Sequence, residues 1–136
     1  MGTRSLIGVE NDDGTISNVY CHWDGYVDGV GRTLLIKWCS RESVDALLSL
    51  GDLSSLGDDL LATEAFHRDK GEELRPPSLA FDREQFLSDA SHSGAQYCYL
   101  IDRGGVWWYS AGSAGFDPLL PAVKALEEKK ARYQNV

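Results

Sequence analysis

The stretch QYCYLIDRGGVWWYSA, residues 96–111, carries the clearest secondary-structure signal in the chain. Aromatic and apolar residues flank a tight turn at residues 103–105, a pattern that predicts a β-hairpin. Because successive side chains of a strand point to opposite faces of a sheet, Trp107 and Tyr109 share one face and Trp108 lies on the other. One of these large aromatic sets is therefore expected on the less buried face.

A further hairpin is predicted at residues 6–23. SLIGVE is short and apolar, NDDGT supplies an Asp-Gly turn, and ISNVYCHW resumes with β-branched and aromatic residues. On this second strand Val19, Cys21 and Trp23 share one face, which is the better candidate for the core. We therefore expect Trp23 to be buried and His22 to point away from the core.

The segments between and after the hairpins have helical patterns. KGEELRPPS, residues 70–78, is instead typical of an exposed loop. We expect helices at residues 30–38, at 40–50 with Ser40 as N-cap and Gly51 as stop, at 60–66, from Asp82 with Gln85 in a capping box, and from Asp117 with Pro118 at the first helical position. The last of these carries an apolar stripe of Leu119, Leu120, Val123, Leu126 and Tyr133.

The order of these elements predicts the fold class. Two hairpins with helices between and after them favour an α+β domain. We expect an antiparallel sheet built from two β-hairpins, with the helices packed mainly on one face. No internal repeat or linker divides the chain, so residues 1–136 are expected to form a single domain.

Composition narrows the classes of partner. The chain has 136 residues and a net charge of −8, which disfavours binding of nucleic acid through a basic face. No apolar run approaches the roughly 20 residues that span a bilayer, so we expect a cytoplasmic protein with no membrane partner. The acidic segment 42–73 is either a solvated face that aids solubility or a surface that occupies a partner's basic groove.

Catalytic and metal-binding constellations are weak in this sequence. The three cysteines form no CxxC pair, and their apolar surroundings predict small buried side chains. Cys21 and His22 are neighbours on a strand and cannot pair with each other. His67 and Asp69 form only a lone HxD pattern. We therefore predict no catalytic residues, no metal site and no cofactor.

The aromatic residues make a stronger case for recognition. VYCHWDGY, residues 19–26, runs from a strand into a glycine-rich loop. The candidate binding surface combines this strand end with the less buried pair of the second hairpin. Its residues are His22, Asp24, Tyr26, Trp107 and Tyr109. Covering of the second hairpin by helices stays open as the alternative.

Part of the sequence resembles a known family. The run MGTRSLIGVENDDGTISNVYCHWDGYVDGVGRTLL, with LGDLSSLG at residues 50–57 and AFHRDKGEE at 65–73, is similar to small uncharacterised proteins encoded by bacteriophages, prophages and plasmids. The resemblance covers about residues 3–73, and its YCHWDGY, GVG and LL motifs are specific. It implies an accessory gene of a mobile element, and it assigns no catalytic role to any residue.

Two functional hypotheses follow. The first is a non-enzymatic interaction protein of a phage or mobile element, which binds a host protein such as a defence or nucleic-acid-handling factor. The second is a small enzyme or ligand-binding domain with its site around His22, Asp24 and the loop of His67 and Asp69. Aromatic strands at a sheet edge also predict a homodimer.

Overall fold

The computed structural model describes residues 2–112 and 114–134, and side chains through residue 132. The strands are β1 (Ser5–Glu10), β2 (Ile16–Cys21), β3 (Leu53–Ser55), β4 (Glu64–Ala65), β5 (Ser78–Ala80), β6 (Tyr97–Ile101), β7 (Trp107–Ala111) and β8 (Asp117–Pro118). The helices are a π-helix (Val27–Gly31), α1 (Arg32–Lys37), α2 (Arg41–Leu48), α3 (Phe66–Lys70), α4 (Arg83–His92) and α5 (Leu119–Gln134). In this part of the chain no helix is long and apolar enough to cross a membrane.

Within the described residues the strands form one mixed sheet in the order β4-β3-β2-β1-β6-β7-β8. Strand β5 pairs with the first half of β2, beside β3. Both predicted hairpins, β1–β2 and β6–β7, are confirmed. The α+β class is likewise confirmed.

The prediction of a purely antiparallel two-hairpin sheet is wrong. Strands β1 and β6 are parallel, with Ile7 opposite Tyr99, and β2 and β3 are also parallel. The reason is the long helical connection between the hairpins. Such a connection permits parallel pairing, and side-chain alternation within a strand does not encode the direction of its neighbour.

Apolar side chains project from both faces of the sheet. The π-helix, α1, α2 and α5 cover the first face, where the core contains Ile7, Val19, Cys21, Leu34, Leu47, Tyr99, Trp107 and Leu119. Helix α4 covers part of the second face, where Leu6, Ile16, Cys98 and Leu100 pack against Phe86 and Ala90. The helices thus lie mainly on one face, as expected, but α4 makes a second layer.

The capping signals at Ser40 and Asp82 and the glycine stop at Gly51 are confirmed. The Ser40 hydroxyl accepts a hydrogen bond from the Ser43 amide at 3.1 Å, and Gly51 adopts a left-handed conformation just after α2. The Asp82 carboxylate accepts from the Gln85 amide at 2.8 Å, as predicted for the start of α4. Segment 71–77 is exposed and irregular, also as predicted.

Two predicted helix starts are wrong. The expected helix at residues 60–66 is a turn followed by β4, and α3 begins only at Phe66. Asp117 and Pro118 form β8 instead of a helix cap, because they pair with β7 at the edge of the sheet. Helix α5 therefore starts at Leu119. In its stripe Leu119 and Val123 are buried and Leu120 is exposed, while the Tyr133 side chain lies outside the described residues.

Candidate functional site: the end of strand β2 and an acidic cleft

The side chain of Trp23 lies at the surface. Trp23 is 45 % exposed, so its predicted burial with Val19 and Cys21 is wrong. The regular strand ends at Cys21, and Asp24 turns the chain with a φ of +58°. Successive side chains alternate between the two faces only within a regular strand. Trp23 lies two residues beyond the end of β2, so the alternation does not determine where its side chain points. One side of the indole ring lies against the backbone of Gly2.

A row of aromatic rings leads from β2 to this exposed indole. The Tyr20 hydroxyl and Nδ1 of His22 are 2.8 Å apart and share a hydrogen bond. The rings of His22 and Trp23 meet edge to face, with centroids 4.7 Å apart. The hydrogen bond and the ring contact fix the orientation of His22, which makes the row a preformed surface.

Asp24 and Tyr26 extend the same surface into the loop. The Tyr26 hydroxyl donates to the Asp24 carboxylate at 3.3 Å, and the negative charge of Asp24 raises the pKa of Tyr26. A hydrogen bond from the core stabilises the loop backbone, since the buried Tyr99 hydroxyl donates to the Gly25 carbonyl at 2.6 Å. We call the set of His22, Trp23, Asp24 and Tyr26 the strand-end surface.

The aromatic pair of the second hairpin does not join this surface. Trp107 is 4 % exposed in the first-face core, and its indole N–H donates to the Trp38 carbonyl at 2.9 Å. Tyr109 is half-buried against the same core. The helices thus cover this pair, and we leave Trp107 and Tyr109 out of the surface.

A cleft of about 690 Å³ opens on the second face of the sheet. Its floor is formed by Leu6, Asn18 and Tyr20, which lie on this face of β1 and β2. The residues around this floor are Asp52, Phe66, His67, Glu72, Glu73, Arg75, Ser78, Asp89 and Ser93. Because Tyr20 lines the cleft and is hydrogen-bonded to His22, it joins the cleft to the strand-end surface. We call this feature the acidic cleft.

The two residues of the predicted HxD motif have separate roles. His67 lines the acidic cleft, and its Nδ1 lies 2.7 Å from the Glu72 carbonyl oxygen. Asp69 accepts from the Ala65 amide at 2.8 Å and pairs with Arg68, whose hydrogen bond lowers the pKa of the Asp69 carboxyl. Asp69 therefore organises the first turn of α3, and only His67 faces the cleft.

The two buried thiols are poor candidates for chemistry. Burial raises the pKa of Cys21 and of Cys98 to about 12, so both stay protonated at neutral pH. Cys39 is exposed, contrary to the prediction, because it follows the end of α1, where its thiol donates to the Ile36 carbonyl at 3.1 Å. Across the described ranges, no three His, Cys, Asp or Glu side chains are grouped to hold a metal ion.

Sequence reasoning missed most of the acidic cleft. Asp52 meets Asn18 and Tyr20 of β2 only in the folded sheet, where the Asp52 carboxylate accepts from the Tyr20 amide at 3.1 Å. One available signal was the face of β2 opposite Val19, which carries polar and aromatic residues where a fully covered face would carry apolar ones. Asp52 has no comparable signal, since it follows a helix-stop glycine like many turn residues.

The chain matches no protein-family model, no curated protein and no solved structure. No activity, ligand or partner can therefore be inferred for the chain from similarity to another protein. The candidate site is defined by its own geometry, as the strand-end surface and the acidic cleft with Tyr20 between them.

The exposure of Trp23 gives a first prediction. Trp23→Ala should lower the free energy of unfolding by no more than about 1 kcal/mol, because much of the ring is already in water. Urea unfolding of the variant beside the unaltered protein measures the difference. A loss of about 3 kcal/mol or more, typical of a buried tryptophan, would contradict the exposed position.

Proposed function

We propose that the chain is a non-enzymatic interaction protein of a phage or mobile element, and that it binds a host protein through the strand-end surface. The observation that carries this proposal is the exposure of Trp23 and Tyr26, 45 % and 42 %, side by side with two polar residues at the end of β2. Tryptophan and tyrosine are the residues that most often dominate binding energy at protein interfaces.

The rigidity of the surface supports recognition. His22 is held by Tyr20, Asp24 by its bond from Tyr26, and the loop backbone by bonds such as Gly25 N–H to the Thr3 carbonyl at 2.8 Å. A preorganised surface loses little conformational entropy when a partner binds. Such a site suits a stoichiometric binder.

The resemblance at residues 3–73 supplies the proposed setting. That segment contains the whole strand-end surface. An accessory protein of a mobile element acts on its host, so the proposed partner is a cytoplasmic host factor, such as a defence or nucleic-acid-handling protein. The net charge of −8 favours a partner with a basic surface. A homodimer stays a separate prediction.

Affinity capture with matched variants tests the proposal. We expect the unaltered protein and Val106→Ala to retain the same host protein, and His22→Ala, Trp23→Ala and Asp24→Ala to lose it. Val106 is a suitable control because it is 51 % exposed in the β6–β7 turn, at the end of the sheet opposite Cys21.

Thermal melts of the same variants complete the experiment. His22→Ala, Trp23→Ala and Val106→Ala should melt close to the unaltered protein, with losses of no more than about 1 kcal/mol. Asp24→Ala should lose about 1–2 kcal/mol, because alanine is disfavoured at the φ of +58° that Asp24 adopts. Retention of the host protein by Trp23→Ala, or its loss with Val106→Ala as well, would contradict the proposed surface.

The acidic cleft favours a second candidate, a ligand-binding domain. Its volume of about 690 Å³ is in the range of small-molecule sites. His67 and Tyr20 line the cleft, and the Tyr20 hydroxyl is hydrogen-bonded to His22. For the ligand-binding hypothesis the proposed site is formed around His22, Asp24 and His67. Asp69 is left out because it binds the Ala65 amide and Arg68. A small molecule that co-purifies at one copy per chain in native mass spectrometry would favour it over the interaction protein.

A further inference from the structure

Within the described residues, two of the three edges of the sheet are protected against pairing with another strand. At the β4 edge the Asp69 carboxylate accepts from the Ala65 amide at 2.8 Å, and the Arg68 guanidinium donates to the Thr63 carbonyl. At the opposite edge β8 has only two residues, and one of them is Pro118, which has no N–H. Charged side chains, short strands and proline are the usual protection of sheet edges.

Strand β5 forms the third edge, and its outer side is open. It pairs with β2, where Leu79 lies opposite Ser17, and no further strand among the described residues pairs with it. Leu79 is 64 % exposed, and Phe81, which directly follows the strand, is 79 % exposed. Large apolar side chains at an unpaired edge favour the addition of another strand.

The main-chain groups of Leu79 point away from the sheet. The Tyr20 amide of β2 bonds to Asp52, which precedes β3 and lies on the same side of β2 as β5. Because the main-chain groups of a strand alternate between its two sides, Asn18 also directs its N–H and C=O to this side, where its partner is Ser78. Leu79 is the next residue of β5, so its N–H and C=O face the open side.

A strand added at this edge would have a different environment on each face of the sheet. Ala80 belongs to the second-face core and Ser78 lines the acidic cleft, so Leu79 between them projects to the first face. Residues directly opposite each other in paired strands share a face. An apolar residue therefore fits opposite Leu79. The position opposite Ser78 lies at a cleft lined by four carboxylate residues and one arginine, and it favours a basic residue.

We propose that β5 binds an extended segment of another protein in which apolar and basic residues alternate. The inference goes beyond the proposed function, because β5 is not part of the strand-end surface. The net charge of −8 complements such a segment and repels a second copy of the chain. Pairing with a second copy would also place Pro77, which has no N–H to donate, on both strands of the new ladder.

A titration of the isotope-labelled chain, followed by NMR, tests this inference with defined peptides. The probe is Lys-Val-Lys-Val-Lys-Val-Lys with blocked ends. One control has the same composition in the order Lys-Lys-Val-Val-Val-Lys-Lys, and the other is the probe with every valine N-methylated, which removes the amides that face Leu79. Main-chain hydrogen bonds give affinity in strand addition and alternate side chains give specificity. We expect the probe to shift the backbone amide signals of Leu79 and Phe81 with a Kd of about 1 mM, and each control to bind about fivefold more weakly or worse.

Three substitutions separate the main-chain contribution from the side-chain contribution. Leu79→Pro removes the outward N–H, which an edge strand tolerates, and it should abolish the shift at Phe81. Leu79→Ser keeps the main chain and removes the apolar contact, so it should weaken binding about threefold or more. Leu61→Ser is the matched control, because Leu61 is even more exposed than Leu79 but lies in the turn before β4, and it should bind as the unaltered protein does. If Leu79→Pro does not fold, Leu79→Ser and the N-methylated peptide still test both contributions.

Three results would overturn the inference. Equal binding of either control peptide would show attraction by charge alone, and shifts confined to the acidic cleft would place the peptide away from β5. A dimer in sedimentation velocity that Leu79→Pro dissociates would show that a second copy occupies the edge. Trp23→Ala should leave peptide binding unchanged, so failure here is separable from failure of the strand-end surface.

Discussion

Trp107→Ala is expected to lower the free energy of unfolding by about 3–5 kcal/mol. Trp107 is 4 % exposed in the first-face core, so its truncation leaves a large cavity under the helices. It also removes the indole N–H that donates to the Trp38 carbonyl at 2.9 Å, and leaves that buried oxygen without its donor. Urea unfolding monitored by far-UV circular dichroism measures the loss without depending on tryptophan fluorescence.

Trp23→Ala is the matched control for this experiment. The same side chain is deleted, but from a position that is 45 % exposed, so the loss should be several-fold smaller. Equal losses at the two positions, or a larger loss at Trp23, would contradict the assignment of Trp107 to the core and of Trp23 to the surface.

Arg83→Ala is expected to cost about 2 kcal/mol at neutral pH, because it leaves the largely buried Glu10 carboxylate with only the more distant Arg103 as a partner. The Glu10 side chain is 6 % exposed, and Arg83 of α4 binds both of its oxygens, at 2.7 and 3.0 Å. Arg103 lies farther away, at 3.7 Å, and is more exposed. The double variant Glu10→Gln with Arg83→Ala removes the stranded charge and should recover part of the lost stability. Additive losses in the pair would contradict this coupling.

The same ion pair sets a pH dependence with a definite sign. The hydrogen bond from Arg83 is the largest cause that lowers the pKa of Glu10 below its ordinary value of 4.5. The unfolded chain then binds more protons than the folded chain below that value, so the contribution is complete above about pH 4.5 and is lost as the pH falls. The cost of Arg83→Ala should therefore shrink in acid. A cost that stays constant from pH 7 to about pH 3 would contradict this origin.

Features determined by neighbouring residues were predictable from the sequence. The two hairpins follow from turn residues between apolar or aromatic runs, and the caps at Ser40 and Asp82 follow from hydroxyl and carboxylate groups that accept amide bonds. In each case the interacting groups are a few residues apart. Local pattern therefore carries the information that these structures need.

Features determined by distant segments were not predictable in the same way. The parallel pairing of Ile7 with Tyr99 depends on how helices of the long connection pack, and the exposure of Trp23 depends on where the strand stops. One signal did exist in the sequence, since Leu6 and Ile7 are adjacent apolar residues that must point to opposite faces of the sheet, and the structure buries every residue of β1. A continuous apolar strand is typical of a sheet covered on both faces, and it anticipates the second layer that α4 provides.

Site-specific photo-crosslinking tests the central claim most directly, because it reports which surface touches the partner. The crosslinking residue p-benzoylphenylalanine replaces Trp23 in one variant and Val106 in another, and both are irradiated inside bacterial host cells. Position 23 should yield one discrete covalent product with a host protein, and position 106, at the opposite end of the sheet, should yield none. A product at position 106 alone, or none at position 23, would contradict recognition through the strand-end surface.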